Sequence, residues 1–142
     1  KTDQSVQSRL VIENEDKGCW TVANLLHYFN LPITFDNLHH KCNPSGKFQP
    51  METCAFTWGK IKPLFHYSES HPDKPNPRSH ADMPTLCPAS DQYDWDIELK
   101  SKDAAIRACA AFQEIGEALA QPFKSFMESD TKDYYPTQEV NK

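Results

Sequence analysis

The stretch that decides the fold is residues 9–37, RLVIENEDKGCWTVANLLHYFNLPITFDN. Branched apolar residues dominate residues 9–13 and recur in residues 33–37, which predicts two strands. Between them, the apolar residues of segment 21–29 recur at helical spacing, Thr21 is a suitable N-cap, and Pro32 prevents continuation. The stretch therefore predicts a strand–helix–strand unit with two parallel strands.

The rest of the chain repeats this alternation. Residues 64–68 and 95–99 predict two more strands, residues 49–61 a helix, and the alanine-rich residues 102–120 a last helix. The order β-α-β-α-β-loop-β-α is typical of an α/β fold with a parallel sheet. Residues 70–93 hold five of the eleven prolines and no periodic pattern. A loop of this length in a compact domain is usually functional.

Four strands are half of what a TIM barrel contains. Such a (β/α)8 barrel needs roughly 250 residues, whereas this chain has 142. We expect residues 1–120 to form half of a barrel and residues 121–142 to form a polar, flexible tail. The half-barrel would expose two edges and an apolar inner face, so we expect an N-terminal half in the same or another chain.

Composition limits the function classes. The chain is 38% hydrophobic and 25% charged, as in globular proteins, and no apolar run approaches the roughly 20 residues of a membrane span. Five cysteines without a C-x-x-C pair predict reduced thiols and a cytoplasmic location. The net charge of −5 opposes DNA binding by bulk electrostatics, so a nucleic-acid substrate would require local Lys/Arg or bound cations.

Each predicted strand carries a metal-capable side chain at or near its end: Glu13, Asp36, His66 and Glu98. Parallel strands point the same way, so these groups should converge at the carboxyl-terminal mouth, where barrel active sites lie. Converging carboxylates repel one another, and a divalent cation removes that penalty. A mixed carboxylate and imidazole set suits manganese, zinc or magnesium.

Two further histidines extend this candidate site. His39 follows Asp36 by three residues, so a turn after the strand would aim both at neighbouring metals, and His80 lies in the long loop at the same mouth. Two adjacent metals can bind a phosphate and stabilise a leaving oxygen. Taken alone, a strand-end Asp is more often a cap and a lone His more often a core residue. The recurrence at four strand ends favours a metal site.

Five motifs, in this order, resemble the UV damage endonuclease family over about residues 9–107. They are LVIEN (10–14), FDNLHH (35–40), PLFHYS (63–68), SHADM (79–83) and DIELKSKD (96–103). The resemblance implies the C-terminal part of a TIM barrel with up to three divalent ions, usually manganese. It also implies cleavage of UV-damaged double-stranded DNA on the 5′ side of the photoproduct.

The resemblance implies roles for individual residues. Glu13 would bridge two metal ions. Asp36, His66 and Glu98 would be ligands of one of these ions.

His39 and His80 would be ligands of a third ion, with Asp82 as a less certain neighbour. The family often has a lysine two residues before the strand histidine, sometimes carboxylated, and this chain has Leu64 there. A role for a modified lysine is therefore not expected, whereas the ligand set is intact.

Two other interpretations remain open at this level. An AP endonuclease or a sugar isomerase of similar barrel architecture also places Glu, Asp and His at strand ends, although FDNLHH with SHADM favours the UV damage family. Alternatively, the chain is a non-catalytic fragment that pairs with a missing N-terminal half. We expect hydrolysis to require that half.

Overall fold

The computed structural model describes residues 4–46, 49–88 and 91–113. The elements in chain order are α1 (Gln4–Gln7), β1 (Ile12–Glu13), α2 (Val22–Tyr28), β2 (Ile33–Thr34), α3 (Asn37–Cys42), α4 (Pro50–Thr57), β3 (Leu64–Tyr67) and β4 (Asp94–Ile97). Residues 102–113 are helical as well.

All strand pairings among these elements are parallel, as the alternation predicted. β1 pairs with β2 and β3 pairs with β4. A single parallel bridge between Asp36 and His66 joins the two sheets. The strands therefore follow one another in chain order, and the prediction of an α/β fold is confirmed.

The helices match the sequence patterns where a cap or a breaker was present. α2 begins after Thr21, whose side chain accepts a hydrogen bond from the backbone N–H of Asn24. α4 lies within the predicted segment 49–61. The last helix is confirmed up to residue 113, and the remainder of its predicted span and the tail 121–142 lie outside the described residues.

β2 and β3 end earlier than predicted, where side-chain amides replace part of the ladder. The Asn14 amide accepts from Asp36 N at 2.9 Å and donates to Asp36 O at 3.1 Å. The Asn37 amide binds the backbone of Ser68 in the same way, at 2.8 and 2.9 Å. Beyond the strand ends, each asparagine thus holds the next strand in place. α1 and α3 were not predicted.

Two apolar clusters lie between the strands and the helices. The first is formed by Val22, Leu25, Ile33, Phe35, Cys54 and Phe65. The second is formed by Tyr67, Ala81, Ile97, Leu99, Ala105 and Cys109. Trp95 packs against both clusters. Because side chains alternate along a strand, the residues between these core positions project from the opposite face.

That opposite face differs from the expected apolar inner surface along β3 and β4. Leu64 is 42% exposed there, but it is paired in register with Asp94, and both Asp94 and Asp96 are exposed. Because carboxylates lie on this face, burying it against an N-terminal half would gain less hydrophobic free energy than burying an apolar face.

Two global features complete the fold. No helix in the three described ranges is long and apolar enough to cross a membrane. All five cysteines lie within those ranges and are free thiols.

Candidate metal centre

The side chains at the four strand ends meet at one place. Glu13 Oε1 lies 3.2 Å from His66 Nδ1, and His66 Nδ1 lies 3.7 Å from Glu98 Oε1. Asp36 is brought beside His66 by the parallel bridge. The spacing of these residues predicted this convergence, and the parallel strands produce it.

Two sets of three side chains have ligand atoms within 4.8 Å of one another. One set is Glu13, Asp36 and His39, and the other is Asp36, His66 and Glu98. Asp36 belongs to both, so the two sets are neighbours that share a carboxylate. Oxygen and imidazole ligands at this separation suit a divalent cation.

Asp36 is the most buried member and the most informative one. Its side chain is 0% exposed, and its Oδ1 accepts the His39 amide at 2.7 Å as the N-cap of α3. Its Oδ2 is buried without a hydrogen-bond partner among the described residues. Nδ1 of His66 is buried as well, with the Glu13 carboxylate 3.2 Å away. Buried polar atoms are rarely left unpaired. Both atoms face the centre of the cluster, as expected of metal ligands.

His39 is placed by helix α3 rather than by the simple turn that was expected. Because Asp36 caps this helix, His39 lies in its first turn and its ring reaches back over the cluster. Nδ1 lies 3.1 Å from Glu13 Oε1 and 2.8 Å from the Asn14 carbonyl oxygen. The helix therefore adds a metal-capable side chain to the strand-end set.

The pKa values show how the charges are balanced without a metal. Burial raises the pKa of Glu13, but contacts with His39 and His66 outweigh it and lower that pKa to about 2. Contact with Glu13 raises the pKa of His39 to about 9, and it also raises that of His66. Burial raises the pKa of Asp36 above its ordinary value. Contact with the two histidines thus stabilises the charged form of Glu13, whereas burial disfavours the charged form of Asp36.

The long loop folds back over the strand ends, as predicted. His80 forms an antiparallel bridge with Ser70, and Lys100 N donates to Ala81 O at 3.1 Å. At the other side, Arg78 Nε lies 3.1 Å from Asp16 Oδ2. The loop therefore contacts segments that follow β1, β3 and β4.

His80 does not join either three-ligand set among the described residues. Its Nδ1 lies 2.6 Å from the carbonyl oxygen of Glu98, so Nε2 is the ring atom left for a ligand. Asp82 is directed elsewhere, with Oδ2 3.8 Å from His71 Nε2. The proposed neighbour role of Asp82 therefore has no support from the geometry.

Sequence reasoning did not identify Asn14 as part of the site. Asn14 is 1% exposed and holds both backbone polar groups of Asp36, which fixes the shared carboxylate. An asparagine after a strand is ordinarily a turn residue, so the sequence contained no specific signal for this role.

The fold and the cluster define a class: α/β proteins with a carboxylate–histidine cluster at the carboxyl ends of parallel strands. Within that class, the chain belongs to the UV-endonuclease UvdE family, whose sequence model matches residues 1–128. A UV-damage endonuclease of Neurospora crassa is 32% identical over 126 residues, which cover 75% of this chain and 19% of that protein. A UV DNA damage endonuclease of Clostridium perfringens is 29% identical over 136 residues, covering 84% of this chain and 33% of that protein.

A solved structure shows the same relationship in three dimensions. The crystal structure of SacUVDE superimposes with a TM-score of 0.61 at 29% identity, covering 77% of this chain and 41% of that one. The chain therefore spans a third or less of the two curated relatives, and under half of the solved one.

Proposed function

We propose that this chain is the metal-binding part of a DNA repair endonuclease that cuts the backbone on the 5′ side of UV photoproducts. One observation carries the proposal. Asp36 Oδ2 is buried inside a cluster of carboxylates and histidines and has no hydrogen-bond partner among the described residues. Membership of the UV-endonuclease family supplies the chemical class.

The proposed ligand set is the one that the family resemblance implies, and the two groups of side chains support it for Glu13, Asp36, His39, His66 and Glu98. Asp36, His66 and Glu98 would hold one cation, with Glu13 as a further carboxylate ligand beside it. His39 and His80 would hold another, His80 through Nε2. The family resemblance favours manganese, and the mixed carboxylate and imidazole donors also suit zinc or magnesium.

The residues present fit a divalent cation because they offer oxygen and imidazole donors and leave a carboxylate charge that a cation would balance. Three carboxylates converge with two histidines, and Asp36 Oδ2 has no hydrogen-bond partner among the described residues. A divalent cation, when bound, supplies Lewis acidity and lowers the pKa of coordinated water.

The chain's own residues prepare the site for this chemistry. Asn14 and the cap of α3 hold Asp36 rigidly, so its open oxygen points into the cluster. Without a cation, the Glu13 carboxylate lies 3.1 Å from His39 Nδ1 and 3.2 Å from His66 Nδ1. The folded-back loop borders the site where a DNA backbone would enter.

We further propose that residues 1–120 are part of a TIM barrel whose other strands come from an N-terminal half, in the same or another chain. Support comes from the parallel strand order and from the shares of the relatives that the chain spans. Under this proposal, that half provides lesion recognition and the remaining ligands.

The test is strand cutting of a UV-irradiated duplex in the presence of manganese, with and without an added N-terminal half. We expect cutting 5′ to the lesion, loss of cutting in EDTA, and loss in Glu98→Gln. His27→Ala is the matched control, since His27 is exposed on α2, and it should cut normally. Cutting of an abasic-site duplex alone, or isomerisation of a sugar, would instead favour one of the related barrel enzymes. No cutting by the complete assembly would refute the proposal.

A further inference from the structure

Leu86 is an exposed apolar residue in the folded-back loop. Its side chain is 71% exposed, although Pro84 is buried and Cys87 packs against the second apolar cluster. Leaving a large apolar side chain in water costs free energy. The loop therefore buries residues on both sides of Leu86 and leaves this side chain in solvent.

Hydrogen bonds fix the backbone at this position. Leu86 N donates to Glu69 Oε1 at 3.3 Å, and Leu86 O lies 3.0 Å from the hydroxyl oxygen of Tyr67. Thr85 adds two bonds to the Glu69 carboxylate, from N and from Oγ1, each at 2.7 Å. Tyr67 ends β3 and Glu69 follows it shortly. The strand that carries His66 thus also holds the exposed leucine in place.

Leu86 lies close enough to the candidate metal centre to contact the same DNA molecule. Glu69 follows His66 by three residues, so their Cα atoms are at most about 11 Å apart. The Glu69 side chain and its hydrogen bond to Leu86 bring the total to at most about 20 Å. One turn of the double helix is about 34 Å long. A duplex with one phosphodiester at the metal centre therefore has base pairs within reach of Leu86.

A cleft between α3 and the loop places a positive charge beside Leu86. The cleft has a volume of about 300 Å³, and its lining includes Lys41, Ser70, Thr85 and Leu86. The Glu69 carboxylate also borders the cleft, where hydrogen bonds from the loop occupy both of its oxygens. DNA offers a partner to each group, since its phosphates attract a lysine and its bases present apolar faces.

We propose that Leu86 is an apolar wedge that inserts between base pairs of DNA bound at the metal centre. The inference deepens the proposed function and rests on it. Leucine is among the residues that proteins insert between base steps, and insertion partly unstacks the bases and kinks the duplex. Unstacking costs least at a damaged base. The wedge should therefore favour binding where a photoproduct has weakened the stack.

The test measures binding of the 142-residue chain to a short duplex with one UV photoproduct, alone and with an added N-terminal half. EDTA is present so that no strand is cut. Anisotropy gives the affinity, and 2-aminopurine beside the photoproduct reports unstacking as a rise in fluorescence. L86A should weaken binding about 5- to 30-fold, as expected when the burial of a largely exposed leucine is lost, and should abolish the rise. L86M should retain both, because methionine has a similar apolar volume.

The matched control is I61A, since Ile61 is 68% exposed and precedes β3 at its amino end. It should change neither the affinity nor the fluorescence. Circular dichroism checks that each variant is folded, which is expected for substitutions at exposed positions.

An L86A variant that binds and unstacks DNA as the unmodified chain does, or an equal loss in I61A, would overturn the inference. So would the absence of binding by the unmodified chain. If L86A changed only the mass in solution, Leu86 would instead contact the N-terminal half or a second copy, and the wedge would be wrong. Because nothing is cut in this assay, a failure of the nuclease proposal would appear separately in the strand-cutting experiment.

Discussion

Replacing Asp36 by Asn separates the structural role of this residue from its proposed metal-binding role. Asp36 Oδ1 caps α3 at 2.7 Å from His39 N, and an amide oxygen can replace that acceptor. The amide carries no charge, however, and makes a poorer metal ligand. Asp36→Ala removes the cap as well and serves as the comparison.

The expected stability of the metal-free protein follows from the direction of the pKa shift. Burial raises the pKa of Asp36 above 3.8, so the folded state holds this proton more tightly than the unfolded state. Stability is therefore lost as pH rises above 3.8. At neutral pH, D36N should be at least as stable as the unmodified protein. D36A should be about 0.5–2 kcal/mol less stable than D36N, since the cap is lost.

Metal addition should reverse this ranking. A ligand at about 100 times its Kd stabilises the folded state by about 2.7 kcal/mol. For a domain of this size, that is a rise in Tm of roughly 10 °C. We expect manganese to raise the Tm of the unmodified chain by this amount and to leave D36N nearly unchanged.

Thermal unfolding followed by circular dichroism, with EDTA or with manganese, measures both effects. An equal Tm increase in D36N would show that Asp36 is not a ligand. The usual effect of a point mutation is about 1 kcal/mol. If metal-free D36N were less stable than the unmodified chain by more than this amount, the buried charge of Asp36 would not be costly.

Three further outcomes are expected. Phe65→Ala, at a fully buried position, should cost about 3–5 kcal/mol in urea unfolding, whereas the exposed Phe56→Ala should cost less than about 0.5 kcal/mol; similar losses would contradict the assigned core. Burial raises the pKa of Glu69, but hydrogen bonds from Tyr67 of β3 and from Thr85 and Leu86 of the loop outweigh it and lower that pKa. Its contribution to stability should therefore be lost as pH falls below 4.5, and E69Q should flatten this acid limb in thermal melts. In the metal-free protein the pKa of His39 is about 9, so the stability from its pair with Glu13 should be full below 6.5 and lost as pH rises through about 9. NMR titration should find a lower His39 pKa in E13Q, and an unchanged value would rule out this pairing.

The class of fold and the approximate elements were predictable from local signals. Strands followed from branched and aromatic runs, and α2 followed from Thr21 and Pro32. Helix α3 was missed because its pattern is only six residues long and its cap, Asp36, had been assigned to a strand. The predicted lengths of β2 and β3 were too great at their carboxyl ends. Nothing in the local sequence shows that Asn14 and Asn37 replace the backbone ladder there with side-chain hydrogen bonds.

The sequence by itself determined which residues are available for chemistry and at which strand ends they occur. A metal-capable side chain recurs at about one strand–helix–strand interval, at Glu13, Asp36, His66 and Glu98, and parallel topology alone brings such groups to one edge.

Only the tertiary structure decided how these groups are used. It left Asp36 Oδ2 buried and unpaired, turned His39 onto Glu13, and engaged Nδ1 of His80 at the backbone of Glu98. Burial and hydrogen-bond partners depend on segments far apart in the chain, so a pattern of neighbouring residues cannot encode them.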